Sequence, residues 1–372
     1  MNLSKQIHNI LETIMPNRNY KEEVEALIAR AITDGASDIH LSVGRYPTFR
    51  VSGNLAPLMN LPVLTAEDTM GMLSELVSPE FKERFIKNKE LDFSYDFNGN
   101  GRFRGSAFFQ KDSVSVTLRA IPTQVKTIKE LNLPPILDAF TKKKQGFFLV
   151  VGPVGQGKST TLASMVEVIN IERAEHIVTI EDPIEYLFHS KKAIVDQREV
   201  GLDTKDFRSG LQAVFRQDVD VIMIGEMRDP ETISTAVTAA ETGHLVLSTL
   251  HTNNASQTID RIIDSFPGEQ QSQIRAQLAG SLLGIFSQRL IPRISGGLIP
   301  AYELLINNSA VSSLIRDGRT NEIDVVIETG MKDGMIDMNR SLSELVLKGE
   351  ITVENALLYS FNTRSLERML QA

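Results

Sequence analysis

The residues with the clearest chemical meaning are Gly152, Pro153, Val154, Gly155, Gln156, Gly157, Lys158, Ser159 and Thr160, which fit the pattern Gly-x-x-x-x-Gly-Lys-Ser. Consecutive backbone N–H groups in such a loop wrap the oxygens of a polyphosphate, at the positive end of the helix that follows. The lysine reaches the β and γ phosphates, and the serine hydroxyl ligates Mg2+. Cleaving the captured nucleotide also needs an acid that holds the metal or positions water. Glu226, in "VDVIMIGEMRD", lies just past an apolar run. Asp220, at the other end of that run, is too far back to be first choice. Glu181, Asp182 and Glu185 cluster in "TIEDPIEYLFH". Carboxylates beside a polyphosphate repel it unless Mg2+ and basic groups intervene, so the cluster points to a metal-bearing site completed from elsewhere. Read singly, Glu226 is equally a helix cap or a solvated turn, and the lesser alternative for the cluster is an acidic surface turn in which Asp182 initiates Pro183.

These residues need a scaffold. The loop follows the apolar run "FFLVV" and opens "STTLASMVEVI", the strand-then-helix context that a phosphate loop requires. The runs "IVTI", "AIVDQ", "VDVIMIG" and "HLVLSTL" alternate with helical stretches, which predicts a mainly parallel sheet covered on both faces. His244 and His251 bracket the last run. A strand of that length spans roughly 23 Å, so the two cannot share a metal ion; His251 lies at the carboxyl end, where it can sense the γ-phosphate, while His244 orders the strand entrance. From Asn308 onward the pattern is helical, with Gly318, Gly330, Gly334 and Gly349 as stops or turns.

The first 121 residues read differently. "ELDFSYDFNGNGRFRGSAFFQ" alternates Phe93, Tyr95 and Phe97 toward one face, and "NGNG" supplies a hairpin turn. Arg102 and Arg104 share the polar face of such a sheet, and Arg119 ends the next strand. The expected organisation is therefore an α+β domain over 1–121, a proline-bracketed linker with a short helix over 122–135, and an α/β domain over 136–372.

Composition excludes other classes. The chain has 372 residues, a net charge of -8 and no cysteine, so disulfides, iron–sulfur clusters and thiolate zinc sites are impossible. With an isoelectric point near 5.4, 6% aromatics and no tryptophan, it lacks the basic field and stacking platforms of a nucleic-acid translocase. No apolar run is long enough to span a bilayer, and the first twenty residues are amphipathic rather than a secretion signal. The expectation is a soluble, cytoplasmic protein without membrane insertion or nucleic-acid partner.

Several segments together, "TIEDPIEY", "QREVGLDT", "VIMIGEMRD", "AAETGHLVLSTLHTNNASQTIDRIIDSFP" and "GASDIHLSVGRYPTFRVSGNL", resemble the motifs of secretion-superfamily ATPases, most closely the type IV pilus retraction ATPases of the PilT family. The resemblance implies a PAS-like amino-terminal domain, a RecA-like motor domain with a helical tail, and a homohexamer run on ATP and Mg2+. It implies Glu185 as catalytic base, Glu226 supporting Mg2+ or water, His251 in the His box, and Arg102, Arg104 and Arg119 reaching the nucleotide. The implied partners are an inner-membrane pilus platform protein and other pilus ATPases, with the ring peripheral at that membrane. The sequence departs from the family at Val154 and Gln156, where Thr and Ser are usual; both positions are expected to act through backbone N–H groups. In "AVSSLIRDG", Ala310, Leu314, Ile315 and Arg316 match a retraction-linked motif, whereas Ser312 and Ser313 replace its Arg and Asn. Extension or type II secretion ATPases are the nearest alternative, but many carry a four-cysteine zinc module that this chain cannot build. An accessory retraction paralogue and a catalytically silent ring component are the others.

Overall fold

The computed structural model describes residues 18–122 and 124–371; the amphipathic pattern read in the first seventeen residues lies outside them. The chain forms two compact units, Met1–Thr123 and Gln124–Ala372.

In the first unit, helix Tyr20–Thr33 buries Val24, Leu27, Ile28 and Ala31, one stripe at helical spacing. Helices Ala66–Leu76 and Pro79–Asn88 start at Thr65 and Ser78, whose hydroxyls accept from Asp68 N and Phe81 N. The strands are β1 (Asp38–Ser42), β2 (Thr48–Val51), β3 (Asn54–Pro57), β4 (Glu90–Asp96), β5 (Arg102–Gln110) and β6 (Ser113–Ile121). They form one antiparallel sheet in the order β3-β2-β1-β6-β5-β4. The "NGNG" segment turns between β4 and β5, while β5 and β6 are joined at Lys111 and Asp112, both at positive φ. Alternate residues Phe93, Phe103, Ala107, Val116 and Leu118 face a core with Ile28, Leu73 and Phe85. On the outer face register aligns a charged row across four strands: Arg50 opposite Asp38, Asp38 opposite Arg119, and Arg119 opposite Arg104.

The second unit is built on β7 (Gly146–Val151), β8 (His176–Glu181), β9 (Ile194–Glu199), β10 (Val221–Ile224), β11 (Leu245–Leu250), β12 (Leu282–Pro292) and β13 (Leu298–Ile306). Their order is β13-β12-β7-β11-β10-β8-β9, parallel throughout except for the β12–β13 pair. Helices cover both faces. Phe147 packs into one apolar cluster and its neighbour Phe148 into the other, both fully buried; each ring contributes about 1.5–3 kcal/mol of burial. The β12–β13 hairpin was not anticipated from the sequence. The carboxyl-terminal helices follow, and Gly318 closes helix Ser309–Asp317 in the left-handed conformation.

The segment read as a linker is largely packed chain. Val125, Ile128 and Leu131 lie against the second unit's apolar cluster, and Leu133 is buried in it. Thr127 and Glu130 bond reciprocally, but the expected helix stops after a single turn. Asn132 adopts positive φ there, and Pro134 and Pro135 follow.

Candidate functional site

Parallel strands bring their carboxyl ends to one edge of the sheet, and ligands of open α/β sheets bind beyond that edge. The loop 152–157 leaves β7 there and enters helix Lys158–Glu172. Gly157, at φ +78°, caps the helix. A Cβ at Gly152 would lie 2.6 Å from the carbonyl oxygen of Gln288, so a side chain is excluded where the loop touches β12.

A cavity of 180 Å³ opens over this loop, lined by Val154, Gly155, Lys158, Ser159, Glu181, Asp182, Glu185, Gly225, Glu226 and His251 among others. Residues up to 97 positions apart in sequence, Val154 and His251 at the extremes, thus meet at one opening. Lys158 is buried, and its Nζ donates to Pro153 O at 3.0 Å. Burial pulls its ammonium below the ordinary lysine pKa, against the opposing pull of Glu226 and Glu185.

Glu226 follows β10, which is separated from the phosphate-loop strand β7 by β11. That intervening strand delivers His251. Its Nδ1 stands 3.3 Å from Lys158 Nζ and its Nε2 stands 3.3 Å from Glu226 Oε2. Glu226 is also paired with Arg228. Asp220 is at the opposite edge, accepting from His176 N at 2.9 Å. His244 binds Ala239 O through Nδ1 at 3.0 Å and meets Phe215 edge-on, at the far end of β11 from His251.

The acidic cluster contains two kinds of carboxylate. Asp182 and Glu185 are exposed on the cavity wall. Glu181 is buried, which pushes its carboxyl up to about 7 even though Thr179 Oγ1, Gln197 Nε2 and Glu185 N donate to it. Gln197 also donates to Tyr186 O and accepts from Phe188 N, so it braces the whole segment. Tyr186 in turn shares a 2.8 Å hydrogen bond with Thr160. Gln197 lies inside a motif noted in the sequence; its bracing role has no local signal.

Among the described residues no three His, Asp or Glu side chains form a group able to hold a metal by themselves. The donor set nevertheless fits Mg2+: the Ser159 hydroxyl and Glu226 carboxylate face the same cavity, and Mg2+ takes one or two protein oxygens while substrate phosphates supply others.

Arg102, Arg104 and Arg119 belong to the first unit's outer sheet face. Arg104 is exposed, and Arg119, 70% exposed, donates through Nε to Asp38 Oδ1 at 2.8 Å. Asp38 was not singled out from sequence. Burial works to raise its pKa, but hydrogen bonds from Arg119 and Ser37 outweigh that and hold it below the usual range. The departures from the family pattern also have structural roles. Ser312 Oγ lies 2.9 Å from Ala279 O and 3.0 Å from Asn307 Oδ1 and shares its one proton between them, tying helix Ser309–Asp317 to helix Gly268–Ser281. Val154 is 80% exposed. Gln156, expected to act mainly through its backbone, also uses its side chain to accept from Leu290 N at 2.7 Å.

The profile of the type II/IV secretion system protein family matches residues 17–297. The type IV pilus retractation ATPase PilT of Pseudomonas aeruginosa is 42% identical over 334 residues, 90% of this chain and 97% of that protein. The chain belongs to the PilT family. Within it, the type IV pilus ATPase PilU of Pseudomonas aeruginosa is 39% identical, covering 94% of this chain and 91% of its own. The crystal structure of the pilus retraction motor PilT with bound ADP superposes with a TM-score of 0.87 at 46% identity, covering 92% of this chain and 98% of that one. This PilT-family chain is an ATPase with an amino-terminal domain and a RecA-like motor domain. No helix among its described residues is long and apolar enough to cross a membrane.

Proposed function

We propose that the chain is the Mg2+-dependent ATPase of a homohexameric motor that powers type IV pilus retraction, working on an inner-membrane platform protein. The observation that carries the reading is the convergence of Lys158, Glu185, Glu226 and His251 on the cavity above the phosphate loop. Loop N–H groups and Lys158 bind the phosphates; Ser159 and Glu226 hold Mg2+, which when bound neutralises charge on the phosphate oxygens. Glu185, exposed on the wall, accepts the proton of the attacking water. Arg102, Arg104 and Arg119 act on the nucleotide of a neighbouring copy, supplying the positive charge that the acidic wall needs. Loss of phosphate then removes the charges that hold a closed arrangement, and subunits shift.

The test is ATP turnover by purified protein. Lys158→Ala and Glu226→Gln should each abolish Mg-dependent hydrolysis, and full activity in both variants would refute the site. Similarity to PilU favours a second reading, an accessory retraction motor. A deletion strain with excess surface pili and no twitching supports the principal role, an unchanged strain the accessory one, and bald cells an extension motor.

A further inference from the structure

The phosphate loop is gripped by a strand to which it does not belong. Pairing between β7 and β12 ends at Val151 and Ser287, so β12 runs on toward Pro292 without its inner neighbour. Gln156 takes that neighbour's place. Its carbonyl accepts from Gln288 Nε2 at 2.7 Å, and its side-chain Oε1 accepts from Leu290 N at 2.7 Å. The remaining amide atom of Gln288, Oε1, accepts from Thr161 Oγ1 at 2.7 Å in the first turn of the following helix. Loop, helix start and strand therefore close into one hydrogen-bonded circuit, with Gln156 contributing both a main-chain and a side-chain link.

We propose that the Gln156 side chain is a positioning residue that holds the phosphate loop in its nucleotide-ready shape. A serine at 156, usual in the resembling sequences, is too short to span to Leu290 N and would leave the main-chain link alone. A loop fixed in advance loses less conformational freedom when it closes on phosphates, so the tether favours binding rather than the chemical step. The inference rests on reading residues 152–160 as the nucleotide site.

The experiment uses the full chain with three variants, measuring ADP affinity by calorimetry, steady-state ATP hydrolysis, and amide exchange at Leu290. Gln156→Met keeps the side chain's length and removes its acceptor. It should weaken ADP and raise KM for ATP by about tenfold while kcat stays within about twofold, as expected for lost ground-state positioning. Leu290 N–H should exchange faster in this variant and stay protected in Gln156→Glu, which keeps an acceptor. Lys158→Ala separates the two failures. If it leaves ADP binding intact, the nucleotide-site reading falls. If it abolishes binding while Gln156→Met binds ADP as the unaltered protein does, or if Gln156→Met lowers kcat with KM unchanged, the tether proposal is overturned.

Discussion

Lys158 Nζ and His251 Nδ1 lie 3.3 Å apart. The other ring nitrogen, Nε2, lies 3.3 Å from Glu226 Oε2. The His251 ring thus stands between the Lys158 amine and the Glu226 carboxylate. Removing the ring with His251→Ala should cut turnover by about 10²-fold or more, by analogy with loss of a preorganised polar group. Nucleotide affinity should change far less. Phosphate-release assays beside ADP titrations measure the two, and unaltered turnover would count against a role for the ring.

Subunit sharing gives a separate expectation. Arg104→Ala and Lys158→Ala proteins should each be inactive alone, and mixing them should restore part of the activity if the arginine serves a neighbour's nucleotide. Complete failure of the mixture, with mixed oligomers demonstrated, would assign the arginine elsewhere.

Asp38 anchors Arg119 from a buried position. Replacing it with alanine should destabilise the first unit by about 1 kcal/mol through the lost hydrogen bonds from Arg119 and Ser37, whose exposed donors water can then satisfy. Since its folded pKa is depressed, its contribution is present above the unfolded carboxylate pKa and is lost as pH falls through the lower folded value. Denaturant melts of Asp38→Ala and the unaltered chain should therefore converge in acid and diverge at neutral pH.

Glu303 carries the opposite sign. It is buried beneath helix Ala255–Asp264, accepting from Ala255 N at 2.8 Å. Burial pushes its carboxyl up from 4.5 to about 7, with Asp324 and Asp337 adding to the rise and Ala255 N–H and Arg289 opposing it. Between those values the folded chain binds more protons than the unfolded one, so stability falls as pH rises, by on the order of 3 kcal/mol once the group is ionised. Glu181 contributes a slope of the same sign. Glu303→Gln should lose about half of the combined decline between pH 5 and 8 in thermal melts; a slope equal to that of the unaltered chain would show that Glu303 does not titrate there.

What could be read from the sequence was local. The phosphate loop, Glu226 and His251 each sit at the end of a contiguous apolar run, and strand direction alone brings such ends to one edge. The insertion of β11 between β7 and β10 is a tertiary choice without a local signature. For that reason His251 was assigned to the right edge, but its place between Lys158 and Glu226 was not foreseen. Gln288 lies 127 residues beyond its partner Thr161, and neither glutamine type nor spacing marks it. Asp38 was hidden for another reason: its environment depends on antiparallel register with β2 and β6, which hydrophobic alternation leaves free. The packing of the proline-bracketed segment was not legible because prolines mark a break in helix, whereas Ile128 and Leu133 are held by apolar contact.

The near-collision between the position of a Cβ at Gly152 and the Gln288 carbonyl makes the loop's first residue a gauge of how closely two stretches of chain are seated. One added methyl there would have to prise β12 away from β7. Mutational tolerance at 152 should therefore track the integrity of the sheet edge rather than the chemistry of phosphate, and a compensating change would be sought in β12, more than a hundred residues downstream.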